Sequence, residues 1–248
     1  PMSLTSLNKS DEAPFQYGHL SLKDILAVRD KRLAQTIDTV LLYNGRGFTR
    51  FNTGMESTSS TGYGVAKYDN EAIPEGFRSQ SGKNYTHAPL FWLSVIYLNY
   101  AEACAELGNI TQDDLDKSIN LLKDRAGLPH LNPIVGFSDP ANNHGVSDLI
   151  WEIRRERRCE LMFDNDNRYW DLIRWHQLDK LDTTKYPDII LGANVANDMD
   201  GCEANKVGKY IDGSKDGSRI YDKKHYLYPI PTGQIALNPQ LAPNNPGW

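Results

Sequence analysis

Ile153-Arg154-Arg155-Glu156-Arg157-Arg158-Cys159-Glu160-Leu161, followed by Asn167-Arg168-Tyr169-Trp170-Asp171-Leu172-Ile173-Arg174-Trp175, is the stretch on which the fold turns. It is too charged for an ordinary buried helix and too aromatic for an ordinary surface one. Leu149, Ile150, Ile153, Leu161 and Met162 supply an apolar face among the arginines and glutamates. Glu152 with Arg155, and Arg157 with Glu160, stand at the three-residue spacing that brings helix side chains together. An anion-binding reading of the arginines competes with this. Glu152, Glu156, Glu160, Asp164 and Asp171 nearly neutralise the stretch locally, however, and arginine suits bidentate pairing with carboxylates. The reading adopted is a structural ion-pair network of Arg154, Glu156, Arg157, Arg158, Glu160, Arg168, Asp171 and Arg174. Ser147 caps this third helix, which runs to about Phe163; a fourth spans Asn167 to Lys180.

Working towards the N-terminus, Leu93, Ile96, Tyr97, Tyr100, Cys104 and Leu107 recur at helical spacing after Pro89, and Gly108 ends the helix. Thr111 with Asp114 is a capping-box variant opening a second helix, with face Leu115, Ile119 and Leu122, stopped by Gly127 and Pro129. The two form an antiparallel hairpin of tetratricopeptide type, which must stack on neighbours to bury its other face. Earlier still, Ser21 caps a short helix with face Leu22, Ile25 and Leu26, and Thr36–Tyr43 reads as a strand. Residues 46–88 lack helical periodicity, and a loop this long is usually functional or disordered. Residues 182–225 also read as irregular. The division is 1–88 loop-rich, 89–181 helical hairpins, and 182–248 an irregular wrap.

A chain of 248 residues with 40% hydrophobic content can bury a sizeable core, and its net charge of -5 excludes the basic footprint of a nucleic-acid binder. No apolar run approaches the roughly eighteen residues of a membrane span. Cys104, Cys159 and Cys202 are scattered and odd in number, so buried thiols are expected rather than a disulfide framework. The six histidines are isolated, and His176 reads as a core or cap residue. No nucleophile elbow, zinc-protease helix, phosphate loop or dinucleotide fingerprint occurs. Two carboxylates suffice for a glycosidase, but nothing selects a pair. No cofactor is expected.

Tyr43, Phe48, Phe51, Tyr63, Tyr68, Phe77 and Tyr85 sit among Gly, Ser, Asn and Thr. Aromatic faces flanked by amides and hydroxyls match the apolar C–H face and polar edge of a sugar ring. The first six of these rings are the candidate ligand contacts; the alternative is that they pin the long loop to the helical body. Asp212, Ser214 and Asp216, followed by Gly217, match the first half of a calcium loop. Lys223 occupies the position of the bidentate glutamate, so Asx-turns are the preferred reading.

Five motifs in register resemble those of the SusD/RagB family of nutrient-binding lipoproteins. They are Arg29-Asp30-Lys31-Arg32-Leu33, Leu98-Asn99-Tyr100-Ala101-Glu102-Ala103, Arg125-Ala126-Gly127-Leu128-Pro129, the arginine-rich stretch, and Tyr228-Pro229-Ile230-Pro231 with Asn244-Asn245-Pro246-Gly247-Trp248. Lys31 stands where the family commonly has proline. The link Asp164–Asn167 is a residue longer than usual, which leaves the partner of Arg168 open. The resemblance implies a mainly α, SusD-like fold of tetratricopeptide-type hairpins with long irregular loops and minimal β structure. It also implies a non-catalytic, surface-exposed outer-membrane lipoprotein of Bacteroidetes type. Such a protein binds oligosaccharide and hands it to a TonB-dependent, SusC-like transporter, and touches the membrane only through a lipid anchor outside this sequence. Family members carry a secretion signal, a lipid-modified cysteine and a helical N-terminal half, so the chain reads as a C-terminal part. A peptide-binding member of the family, a carbohydrate-active enzyme, and a scaffold without small ligand are the competing functions.

Overall fold

Asp30 starts the first complete helix, accepting from the Arg32 amide at 2.9 Å as an N-cap carboxylate does. The structure is a computed structural model that describes residues 26–27, 29–41, 61–68, 70, 72–78, 80–87, 89–164, 167–194, 206–207, 210–212 and 217–248. Helix α1 (Lys31–Thr36) runs directly into β1 (Ile37–Leu41), which pairs antiparallel with β2 (Tyr63–Val65) across an irregular register. A single-turn α2 (Glu75–Arg78) follows. Of the short helix expected at Ser21, only Leu26 and Ala27 are described; they are helical, and Leu26 is buried.

The helical body is α3 (Leu93–Glu106), α4 (Gln112–Asp116), α5 (Ile119–Ala126), α6 (Asp148–Glu160) and α7 (Asn167–Arg174). Helix α3 packs on α6 and α5, and α5 also meets α6. Leu98, Ala101, Leu115, Ile119, Leu122, Leu131, Ile153 and Leu161 meet in one buried cluster. Tyr100 donates to Asp114 at 2.6 Å and ties α3 to the start of α4. The opposite face of α3 leaves Leu93, Ile96 and Leu107 exposed.

Several expected boundaries move, each for a local reason. The helix expected from Pro89 begins at Leu93. The second helix divides at Lys117–Ser118, where the Ser118 hydroxyl donates back to the Asp114 carbonyl at 2.6 Å and its backbone leaves the helical region. The third stops at Glu160 rather than Phe163, whose φ is 65°. The fourth ends at Arg174 because His176 adopts φ 53°, and Gln177 N–H then donates to Leu172 O at 2.8 Å. This makes His176 an exposed C-terminal cap. A 3-10 turn at Leu178–Leu181 follows as a separate piece.

The segment after 182 contains a small antiparallel sheet that alternation did not reveal. Strands β3 (Leu191–Asn194), β4 (Lys206–Val207) and β5 (Tyr210–Asp212) are ordered β3-β5-β4. Gly192 in β3 lies so close to the Thr61 backbone that a Cβ there would clash with it, and Ala193 N–H donates to Thr61 O at 2.8 Å. Beyond the sheet, a 3-10 turn at Lys223–Tyr226 and helix α8 (Thr232–Leu237) lead to the C-terminus. Asn244 clamps Ile230 by accepting from its N–H at 2.8 Å and donating to its carbonyl at 3.1 Å. Asn245 donates to Tyr228 O at 2.6 Å. Pro229 and Pro231 have no N–H to offer a ladder, so amide side chains close this turn instead. The architecture is mainly helical, with small sheets and long connections.

Candidate ligand-binding site

The arginine stretch is a lattice that gathers the other sequence motifs onto α6. Arg32, buried beside α6, binds Glu156 at 2.5 Å, Glu160 at 2.9 Å and its own neighbour Asp30 at 2.6 Å. Lys123 meets Glu156 at 3.4 Å, and Arg125 reaches Glu160 at 2.5 Å. On the far side, Glu102 of α3 accepts from Arg154 at 3.0 Å, from Arg174 at 2.7 Å and from the Trp175 indole at 2.6 Å. Arg157 binds Asp171 at 2.7 Å and Asn99 at 2.8 Å. The Glu152–Arg155 pair forms at 2.5 Å. The expected Arg157–Glu160 pair gives way to these longer-range partners, because Arg157 faces α7 and Glu160 faces α1 and α5.

Electrostatics follow the geometry. Burial raises the Glu156 carboxyl, but the charges of Arg32 and Lys123 outweigh it and leave the group below its ordinary value. Glu102 is likewise pushed up by burial and drawn down further by Arg174, Trp175 and Arg154. Glu152 ends on the other side. Its burial prevails over Arg155 and raises it, and its Oε1 is buried without a hydrogen-bond partner.

Two arginines assigned to the network stand outside it. Arg158 and Arg168 form no ion pair or hydrogen bond among the described residues. Arg168 is half-buried, with its guanidinium 5.8 Å from the Trp175 ring centroid. Nothing in the periodicity separates these two arginines from their paired neighbours.

The lattice also anchors the loop-rich segment. Lys67 donates to Glu160 O at 3.1 Å and Met162 O at 2.9 Å, and pairs with Asp164 at 2.8 Å. A cation thereby sits on the C-terminal carbonyls of α6. The Tyr68 hydroxyl lies 2.7 Å from both Phe163 O and Asp164 Oδ1. Burial and the Asp164 bond push it up to about 12. Of the candidate rings, Tyr68 therefore fastens the segment, and Tyr63 is half-buried in β2. Phe77 is 47% exposed and makes an edge-on pair, 6.5 Å between centroids, with Tyr85, itself 62% exposed. Asn84 donates to Arg78 O at 3.4 Å and accepts from Thr86 N–H at 2.9 Å, closing the turn beside them. Tyr43, Phe48 and Phe51 lie outside the described residues, as do Ser214 and Asp216 of the calcium candidate; Asp212 ends β5. No group of three or more metal-ligating side chains occurs among the described residues. Cys104 and Cys159 stand outside any disulfide and are half-buried rather than buried, and Cys202 is not described.

A second aromatic surface escaped the sequence reading. Tyr169, Tyr221, Tyr228 and Trp248, with Leu178, Leu181 and Ile220, line a hollow of about 290 Å³. The Trp248 indole donates to Leu227 O at 2.8 Å, and Lys224 lies 4.4 Å above its ring. Tyr169 comes from α7 and the other three rings from the C-terminal segment, so the linear signal was the aromatic content of the closing motif.

The model of the SusD family matches residues 25–248 of the chain. Among solved structures, it is similar to a SusD-like protein from Bacteroides fragilis NCTC 9343, at 23% identity and a TM-score of 0.50, over 89% of this chain and 39% of that one. The chain therefore spans about two fifths of that protein's length. None of the curated proteins matches it.

Proposed function

This chain belongs to the SusD family, and on that premise we propose that it binds an oligosaccharide at the bacterial outer-membrane surface and delivers it to a TonB-dependent, SusC-like transporter. It does so without chemistry of its own, as part of a lipid-anchored protein. The observation that carries the ligand assignment is the exposed Phe77–Tyr85 ring pair. Large aromatic faces left in solvent beside amide and hydroxyl groups suit the C–H face and hydroxyl edge of a sugar, and ordering them costs little entropy. Lys67 and Tyr68 fix the base of this segment on the end of α6, so the platform is held to the helical body. Tyr43, Phe48, Phe51 and Tyr63 are proposed as further ligand contacts.

A peptide ligand is the second reading. It is favoured by the hollow at Tyr169, Tyr221, Tyr228 and Trp248, whose aliphatic walls suit an apolar side chain better than a hydroxyl-bearing ring. Calorimetry of the purified protein against a panel of oligosaccharides and a panel of peptides separates the two. We expect oligosaccharide binding, weakened about tenfold, or about 1.4 kcal/mol, by Phe77→Ala and by Tyr85→Ala. Binding of peptides alone would overturn the glycan assignment, and release of reducing ends from a bound glycan would overturn the non-catalytic one.

A further inference from the structure

Beside the lattice, where α6 meets α7 and the turn after it, Trp151, Arg154, Arg155 and Arg158 line a small cavity completed by Arg168, Trp175, Gln177, Lys180 and Asp139. Five cations surround it against one carboxylate. That carboxylate is itself occupied, since Asp139 accepts from the Ala141 amide at 2.9 Å. Arg154 is neutralised by Glu102 and Glu106, and Arg155 by Glu152. Arg158 and Arg168 have no such partner among the described residues. They approach across the α6–α7 corner with like charge. Burial, and then the charge of Arg158, push Arg168 down to about 10. The indole N–H of Trp151 is buried and unsatisfied.

Each of these is an unfavourable feature that one ligand would relieve. A half-buried guanidinium without an anion forfeits its solvation with no Coulombic return, and an orphaned N–H costs about 1–3 kcal/mol. We propose that this cavity is a binding site for one small oxyanion group (carboxylate, sulfate or phosphate), held by Arg158 and Arg168 and accepting from Trp151. Its volume of about 50 Å³ admits a group of a few heavy atoms and no sugar ring. Arg158 is exposed and marks the mouth, so the oxyanion arrives either as a free ion or as the acidic substituent of a larger molecule such as a uronate or a sulfated sugar. Planar guanidinium forks favour oxygens presented in pairs. The site is independent of the Phe77–Tyr85 platform and of what binds there.

Thermal denaturation at fixed ionic strength tests it, with sodium sulfate and sodium phosphate against sodium chloride, and glucuronate against glucose. Site binding by a ligand at concentration c raises Tm in proportion to ln(1 + c/Kd), steeply at low concentration and then logarithmically, whereas general stabilisation by sulfate excluded from the surface grows about linearly with concentration. We expect this logarithmic rise with sulfate or phosphate, and an apparent affinity at least tenfold weaker in Arg158→Gln and in Arg168→Gln. In chloride, Arg158→Gln is expected to keep or raise Tm, because it removes a like charge; a purely structural arginine would lower it. Glucuronate binding that sulfate displaces, with glucose inert, identifies an acidic saccharide as the source, and response to inorganic ions alone identifies a free anion. The proposal is overturned if sulfate, phosphate and glucuronate all act only linearly with concentration, or if their effect survives unchanged in Arg158→Gln.

Discussion

Glu102 shows how one carboxylate holds three donors from two other elements. It sits on α3 but accepts from Arg154 on α6 and from Arg174 and Trp175 at the end of α7. Removing it leaves the Trp175 indole without this acceptor and Arg154 and Arg174 with only Glu106 and Asp171, so Glu102→Ala is expected to lower unfolding free energy in urea by about 1–3 kcal/mol. An unchanged urea midpoint would show that the pairs contribute nothing. The pH dependence follows from the same contacts. Glu102 and Glu156 titrate lower in the folded chain than their ordinary 4.5. Between the lowered and ordinary values the unfolded chain binds more protons. Their stabilisation is therefore full above about 4.5 and is lost as pH falls through the lowered folded values. Glu152 works in the opposite sense, because its raised value makes its protonation favour the folded chain. Glu152→Gln should therefore be neutral or stabilising at pH 7, and should flatten the slope of stability just above 4.5. Urea titrations from pH 3 to 7 would read both effects.

Elements here are stopped and started by side chains whose roles are local. Gly127 occupies φ 66° at the end of α5, and Leu128 N–H donates back to Lys123 O at 2.8 Å, a Schellman closure. A Cβ in that left-handed position costs about 1–2 kcal/mol, so Gly127→Ala should lower stability by that amount although only the flexible tip of Lys31 lies nearby. Thr111 and Asp114 form a reciprocal capping box at α4, and Thr111→Ala should cost about 1 kcal/mol. Lys67 belongs to a different class, since it joins an irregular segment to the end of α6. Lys67→Met is expected to raise amide exchange in 61–68 while leaving α6 protected. Equal loss of protection in both would mean that the lysine supports the helix itself rather than the loop docked on it.

Across the whole molecule, motifs that are distant in sequence become neighbours around α6. The Arg29–Leu33 motif contributes Arg32, the Leu98–Ala103 motif contributes Asn99 and Glu102, and the Arg125–Pro129 motif contributes Arg125. Most of these pairs are enclosed, and buried charges are weakly screened. Thermal stability is therefore expected to change little between about 0.1 and 1 M sodium chloride, and a steep fall would show that the lattice is held by exposed pairs instead. What the amino-acid order determined alone is the helical character of residues 89–181, the caps at Thr111, Gly127 and Ser147, the near-neutral charge of the arginine stretch and its kinship, because these depend on spacings of a few residues. Partner choice came only with tertiary structure. Arg154, Arg174 and Arg32 find carboxylates 52, 72 and 124 residues away, and helical periodicity carries information only three or four positions along the chain. The same limit hid the hollow at Trp248 and the two unpaired arginines: whether a charge is neutralised, or a ring left in solvent, is decided by what the fold sets against it.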